Sequence, residues 1–234
     1  MKNFSNLYIF GFSSALVLLV AAALSFTSLS LSDRQSANVE TERKQNILLA
    51  LGVKSEAKDV ETTYEKYIRR GLVIKADGSE ATGESPEKLD TEKEQLKPAA
   101  EQLLPLYIAE KEGRTYVVIP VRGKGLWGAI WGNVALEEDM NTIYGTTFDH
   151  KGETPGLGSE INTLKFQQQF RNKKLFDASN KFVSVAVKKP GSYTPNDHTV
   201  DALSGGTLTS KGLQAMLKTG LKPYQTYFSQ HKSN

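Results

Sequence analysis

The chain has 234 residues, 39% of them hydrophobic and 24% charged, and a net charge of +3. That length suits one globular domain with an appendage, and a charge so small and so scattered gives no ground for nucleic acid as a partner. The absence of cysteine excludes disulfides, a thiolate nucleophile and cysteine-ligated iron–sulfur clusters within the chain, so any electron carriage calls for an organic cofactor.

From Asn3 to Ser32 there is no charged residue over 30 positions, and Leu7 to Leu24 is almost wholly apolar. About 20 such residues cross the hydrocarbon core of a bilayer as a helix. Lys2 and the amino terminus precede the span and Asp33 follows it, which places the N-terminus in the cytoplasm and the remainder outside. Ala21-Ala22-Ala23 offers the small residues of a signal-peptide cleavage site, but the apolar run outlasts the usual h-region and reads as an uncleaved anchor. Residues 1–32 are accordingly the cytoplasmic terminus and anchor, and 33–98 a helical connector with a surface excursion.

Asp33 to Gly52 predicts a helix running on from the anchor, with Val39, Ile47, Leu48 and Leu51 apolar and Gly52 as its stop. A second helix is expected over Val60 to Arg70, ending at Gly71 and burying Tyr64, Tyr67 and Ile68. Asp77 to Lys97 is polar and reads as surface loop. Strands follow at Leu104–Ala109 and Thr115–Val121 across a turn at Lys111-Glu112-Gly113-Arg114, then at Trp127–Leu136 and Thr142–Phe148 across the acidic Glu137-Glu138-Asp139. Ile161 to Phe170 predicts a helix with Leu164 and Phe170 inward, Phe182 to Val187 a strand closed by Lys188-Lys189, and Leu221 to Asn234 a last helix with Tyr224, Tyr227 and Phe228. The expected fold class is α+β: one transmembrane helix, then a single globular domain with a mostly antiparallel sheet and flanking helices.

Three stretches carry the chemistry. Gly123-Lys124-Gly125-Leu126-Trp127-Gly128 has the G-x-G-x-x-G spacing of a dinucleotide fingerprint, but strand and not helix follows, so the context is missing. Trp127 is then either core packing or a platform for a planar group. Gly152-Glu153-Thr154-Pro155-Gly156-Leu157-Gly158 has Gly at three of seven positions and is a loop, either a plain connection or a backbone that something approaches closely. In Val200 to Met216, Ser204-Gly205-Gly206 supplies a tight turn, after which Thr207, Leu208, Thr209 and Ser210 run into the helical spacing of Leu213, Met216 and Leu217. Hydroxyls and free N–H groups meet at that helix start, a place that suits a phosphate or an ordinary N-cap. A Walker loop is excluded, because Lys211 follows the hydroxyls. His150, His198 and His231 lack metal-ligand spacing; neither a metal site nor a catalytic residue is expected.

Asp201-x-x-Ser204-Gly205-Gly206-Thr207 resembles the Asp-x-x-Ser/Thr-Gly-Ala-Thr flavinylation motif shared by the C subunits of the sodium-translocating NADH:quinone oxidoreductases and the related G subunits of Rnf complexes, with Gly206 where Ala is usual. The other two stretches are similar to the same proteins, and Glu-Thr-Pro-Gly-Leu-Gly favours the sodium-pump family over the Rnf one. The resemblance implies FMN esterified through its phosphate to Thr207 by a flavin transferase, with 99–234 as the FMN-binding domain. Asp201, Ser204, Gly205, Gly206 and Thr209 would belong to the attachment turn, and Trp127, Glu153, Thr154, Gly156, Leu157 and Gly158 would surround the flavin. It further implies an electron relay within a complex of integral-membrane subunits, in the bacterial inner membrane with the domain in the periplasm. The competing readings are an Rnf-type G subunit and a non-catalytic, membrane-tethered extracytoplasmic module that binds a phosphorylated ligand reversibly.

Overall fold

The computed structural model describes residues 5–232, so Lys2 and the extreme C-terminus lie outside the described residues. The first element, α1 (Asn6–Ala50), is one unbroken 45-residue helix. Its side chains from Leu7 to Phe26 stand exposed, and the helix is long and apolar enough to cross a membrane. The chain divides into two compact units, one ending at Arg43 and the other beginning at Lys44.

In the second unit α1 ends as a Schellman cap: Val53 N–H bonds Leu48 O, Gly52 N–H bonds Leu49 O, and Gly52 takes φ +70°. The next helix, α2 (Val60–Tyr67), stops three residues short of the expected Arg70, and Ile68 begins β1 (Ile68–Ile74). Cross-strand pairing overrides the helical run here, since Leu72 lies opposite Leu106 and Ile74 opposite Leu104. The polar stretch that follows holds only the short α3 (Thr91–Gln95), capped by the Asp90 carboxylate.

β2 (Leu104–Lys111), β3 (Arg114–Lys124), β4 (Ala129–Leu136) and β5 (Ile143–His150) then add in sequence order, completing a five-stranded antiparallel sheet with β1 at its edge. The alternation of β3 shows why both faces are covered. Val117, Ile119 and Val121 point into the larger core, with Leu213, Met216 and Leu217; Tyr116 and Val118 point into a smaller one, with Ile47 and Leu51.

Two further expectations need correction. The region 161–170 is not one helix: α4 (Leu164–Gln167) sits between two 3-10 turns, because the Thr163 hydroxyl caps Phe166 N–H and starts a new helix. Ile161, Phe166 and Phe170 are buried and Leu164 faces solvent. The strand expected at 182–187 shrinks to β6 (Ala186–Lys188), since Ser184 takes φ +61° and breaks the extended run. β6 pairs in parallel with β7 (Thr199–Asp201), a second small sheet.

The chain closes with α5 (Thr207–Leu221) and α6 (Gln225–His231), and Tyr224, Tyr227 and Phe228 are buried as expected. α5 lies directly on the end of β3. A Cβ at Gly212 would come within 2.3 Å of Lys124 O, so only glycine allows that contact, and it carries the N-terminus of α5 to the β3–β4 turn.

Candidate cofactor site

Three loops meet where α5 begins. The first, Leu203-Ser204-Gly205-Gly206, is closed by Gly206 N–H to Leu203 O at 3.2 Å with Gly205 at φ +71°, the pattern of a type II turn. Among the described residues, no side chain caps α5. The N–H groups of its first turn are therefore available to an outside acceptor, with the helix dipole favouring an anion. Of the hydroxyls there, Thr207 and Ser204 are exposed. Thr209 and Ser210 are buried, and both are engaged: Ser210 Oγ accepts from Leu203 N–H at 3.1 Å, and Thr209 Oγ donates to Glu153 Oε2 at 2.5 Å.

The second loop repeats the turn. Pro155 and Gly156 (φ +74°) fill the centre of a turn closed by Leu157 N–H to Thr154 O at 3.1 Å. This turn packs on the first one, for a Cβ at Gly205 would lie 2.5 Å from Leu157 Cδ2. A Cβ at Gly206 would lie 3.0 Å from Leu203 Cβ and 3.3 Å from Leu157 O, so glycine seats the turn with less crowding than alanine. Leu157 itself stays 41% exposed.

The third loop, Gly125 to Gly128, joins β3 to β4 and is closed by Gly125 N–H to Gly128 O at 2.8 Å. It leaves the Trp127 ring 69% exposed and Leu126 and Leu208 half exposed. Trp127 is thus no core residue, and with Leu126, Leu157 and Leu208 it provides apolar surface on the same three loops as Thr207.

Glu153 fastens the loops together. Its carboxylate, 4% exposed, accepts from Trp127 N–H at 2.9 Å on Oε1 and from the Thr209 hydroxyl on Oε2. Burial opposes its ionisation, but the Thr209 hydroxyl and the N–H groups of Trp127, Leu126 and Gly128 outweigh that and hold its pKa below the ordinary value. Glycine is required around it: a Cβ at Gly125 would sit 2.4 Å from Oε1 and one at Gly158 2.5 Å from Oε2. The Glu153 N–H in turn donates to His150 Nδ1 at 3.2 Å. His150, expected only as a residue without metal-ligand spacing, thus holds this loop, and its one sequence signal is its place three residues before the loop carboxylate.

The structure therefore gathers Trp127, Glu153, Gly156, Leu157, Gly158, Gly205, Gly206, Thr207 and Thr209 into one place, with Thr154 and Ser204 exposed on the same turns. Asp201 has partners of its own. Its N–H donates to Gln169 Oε1 at 3.0 Å, its carboxylate accepts the Tyr193 hydroxyl at 3.1 Å, and no other candidate residue bonds it among the described residues. A cavity of about 570 Å³ lies at the other end of α5, between Thr91–Leu104 and Thr219–Tyr224, and no candidate residue lines it.

The residues fit a phosphorylated, planar cofactor. An uncapped helix start offers donors to a phosphate, an exposed hydroxyl stands at its first position, and exposed Trp127 and Leu157 offer surfaces to a ring system.

Comparison with known proteins agrees with that geometry. Residues 125–222 match the family described as FMN-binding domain, a span that holds all three loops. The chain is 34% identical to the C subunit of the Na(+)-translocating NADH-quinone reductase of Vibrio vulnificus over 215 residues, covering 85% of this chain and 84% of that protein. It is 34% identical over 232 residues to the protein of the same name from Haemophilus ducreyi, covering 90% and 88%. Among solved structures, the C subunit of the Na(+)-translocating NADH-quinone reductase of Parabacteroides distasonis superposes with a TM-score of 0.78 at 36% identity, covering 85% of this chain and 97% of that one.

Proposed function

Because the chain belongs to the family of Na(+)-translocating NADH-quinone reductase C subunits, we propose that it is the FMN-carrying electron-transfer subunit of such a complex, with FMN esterified through its phosphate to Thr207. The observation that carries this reading is the contrast between two hydroxyls at one helix start. Thr207 is exposed at the first position of α5, and Thr209 is buried against Glu153. Attachment forms a bond from Thr207 Oγ to phosphorus while an anhydride bond of an activated FMN donor breaks; the hydroxyl proton is lost, and the leaving group keeps the electrons of the broken bond. A flavin transferase would supply that donor.

FMN, once bound, would supply both one- and two-electron exchange. The chain's own part is to hold it. The free N–H groups of α5 would hold the phosphate, and Lys211 stands one turn beyond Thr207 on the same helix. Trp127 and Leu157 would flank the ring system, and Thr154, Gly156 and Gly158 would shape the loop around it. Ser204, Gly205 and Gly206 form the turn that presents Thr207, and Asp201, bonded to Tyr193 and Gln169, would be a mark for the transferase.

In this reading residues 1–32 are an uncleaved anchor in the inner membrane, 33–98 a connector and surface excursion, and 99–234 the FMN-binding part in the periplasm, beside the integral-membrane subunits of the complex. Covalent attachment has a reason there: a flavin lost outside the cytoplasm is not replenished. The test is co-expression with a flavin transferase. A gain of one FMN less water in intact mass, and an ultraviolet-fluorescent band after denaturing electrophoresis, are the expected results. An unmodified mass beside an active transferase would favour the reversible ligand-binding module.

A further inference from the structure

We propose that Glu153 is a positioning residue that selects the flavin acceptor: by drawing the Thr209 hydroxyl inward it sets the rotation of α5 that turns Thr207 outward. The proposal rests on the FMN reading of the site and adds to it the device that chooses between two threonines.

Helix geometry sets the constraint. Successive residues of an α-helix are about 100° apart, so positions 207 and 209 lie about 200° apart and cannot both face solvent or both face the core. Whatever fixes one of them fixes the other. In this structure the fixing group comes from 56 residues earlier in the chain: Glu153 Oε2 accepts the Thr209 hydroxyl at 2.5 Å. The same carboxylate accepts Trp127 N–H at 2.9 Å, and its backbone N–H is held by His150 Nδ1 at 3.2 Å. The clamp is therefore anchored to the sheet through β5 and the β3–β4 turn and does not rotate with α5.

The space around it is fitted to a carboxylate of this length. A Cβ at Gly125 or Gly158 would come within 2.5 Å of one of its oxygens. Thr209, 1% exposed and donating its proton to Glu153, cannot approach a phosphorus atom; Thr207 can. Both Glu153 oxygens are engaged by protein donors, so the group acts through Thr207 and Trp127.

The test uses the full chain co-expressed with the transferase, and reads both the rate of FMN gain and its place by peptide mapping. Glu153→Gln can still accept from Trp127 N–H and can turn its amide to Thr209 Oγ, so attachment stays at Thr207 within about twofold of the wild-type rate. Glu153→Asp keeps the charge but is one methylene too short to span both partners. Its rate at Thr207 falls roughly tenfold or more, and a fraction of the flavin moves to Thr209. Glu153→Ala does the same more strongly. A merely destabilised chain would lose yield without changing the modified residue, so the site distribution separates the two roles. Amide exchange over residues 210–213 of the unmodified chains, the first amides of α5 with helical acceptors, supplies a readout independent of flavin: it rises in the Asp and Ala variants and not in Gln. Flavin confined to Thr207 at the wild-type rate in Glu153→Asp, a variant that retains the charge and most of the packing, overturns the proposal. A wild-type chain that takes up no FMN overturns the reading beneath it and the proposal with it.

Discussion

Two turns of the same sheet, only eleven residues of β3 apart, use glycine for different reasons. The β2–β3 hairpin closes on Glu112 and Gly113, both at positive φ (54° and 75°), as a two-residue connection between right-twisted strands demands. Among the described residues, its chain neighbours aside, nothing lies within 4 Å of where a Gly113 Cβ would be. That glycine answers to the backbone alone. The β3–β4 turn at Gly125 to Gly128 has no residue at positive φ, yet a Gly125 Cβ would strike Glu153 Oε1 at 2.4 Å and Ile130 Cγ2 at 2.9 Å. That glycine answers to a neighbour 28 positions away in sequence. A glycine kept for conformation marks a turn, and one kept for space marks a place where another part of the chain must come close.

Substitutions at and around the two turns sharpen or break this contrast. The largest effect is expected at the acceptor itself: Thr207→Val, similar in size and exposed, leaves the fold intact and abolishes the covalent flavin, so the denatured protein loses its fluorescence and its added mass. Next comes Gly125→Ala, where the new methyl group displaces Glu153. Overpacking of this kind costs about 2–3 kcal/mol, and thermal melting with flavin incorporation should show both falling together.

Acidification reaches the same clamp from the other side. The folded-state pKa of Glu153 lies below its unfolded value, so the folded chain binds fewer protons than the unfolded one there. Its contribution to stability is present above the ordinary glutamate pKa, about 4.3, and is lost as pH falls through the lowered folded value. Melting temperature followed downward from pH 5 should therefore drop more steeply in the wild type than in Glu153→Gln. The smallest effect belongs to the hairpin. Gly113→Ala costs about 1 kcal/mol through the left-handed backbone, visible in melting, and leaves FMN attachment at the wild-type rate; a loss of attachment there would erase the distinction between the turns.

The sequence made the sheet legible where β-branched residues run between turn residues, as in Thr115 to Val121, and made α5 legible from its turn and apolar spacing. It hid β1, because Ile68-Arg69-Arg70 continues the pattern of α2 and only pairing with Leu104–Ala109 draws it into a strand. It misplaced Leu164, because a single Thr163 cap restarts the helix and changes which side faces inward. The three motif loops could be picked out one by one from their glycines. What could not be read was their fastening: a carboxylate in a glycine-rich loop needs donors, but nothing local names Thr209 or Trp127 as those donors. Contacts between distant positions leave no period in a single chain. For the same reason the sequence does not show that Asp201, part of the motif, accepts the Tyr193 hydroxyl and donates its N–H to Gln169.

The most direct measurement is a fragmentation mass spectrum of the proteolytic peptide containing Val200 to Met216, taken from the chain matured with its transferase. One FMN less water is expected on Thr207, with Ser204, Thr209 and Ser210 unmodified. Flavin on Thr209, the hydroxyl buried against Glu153, or an unmodified peptide from a chain exposed to active transferase, would contradict a flavin carried at the exposed start of α5.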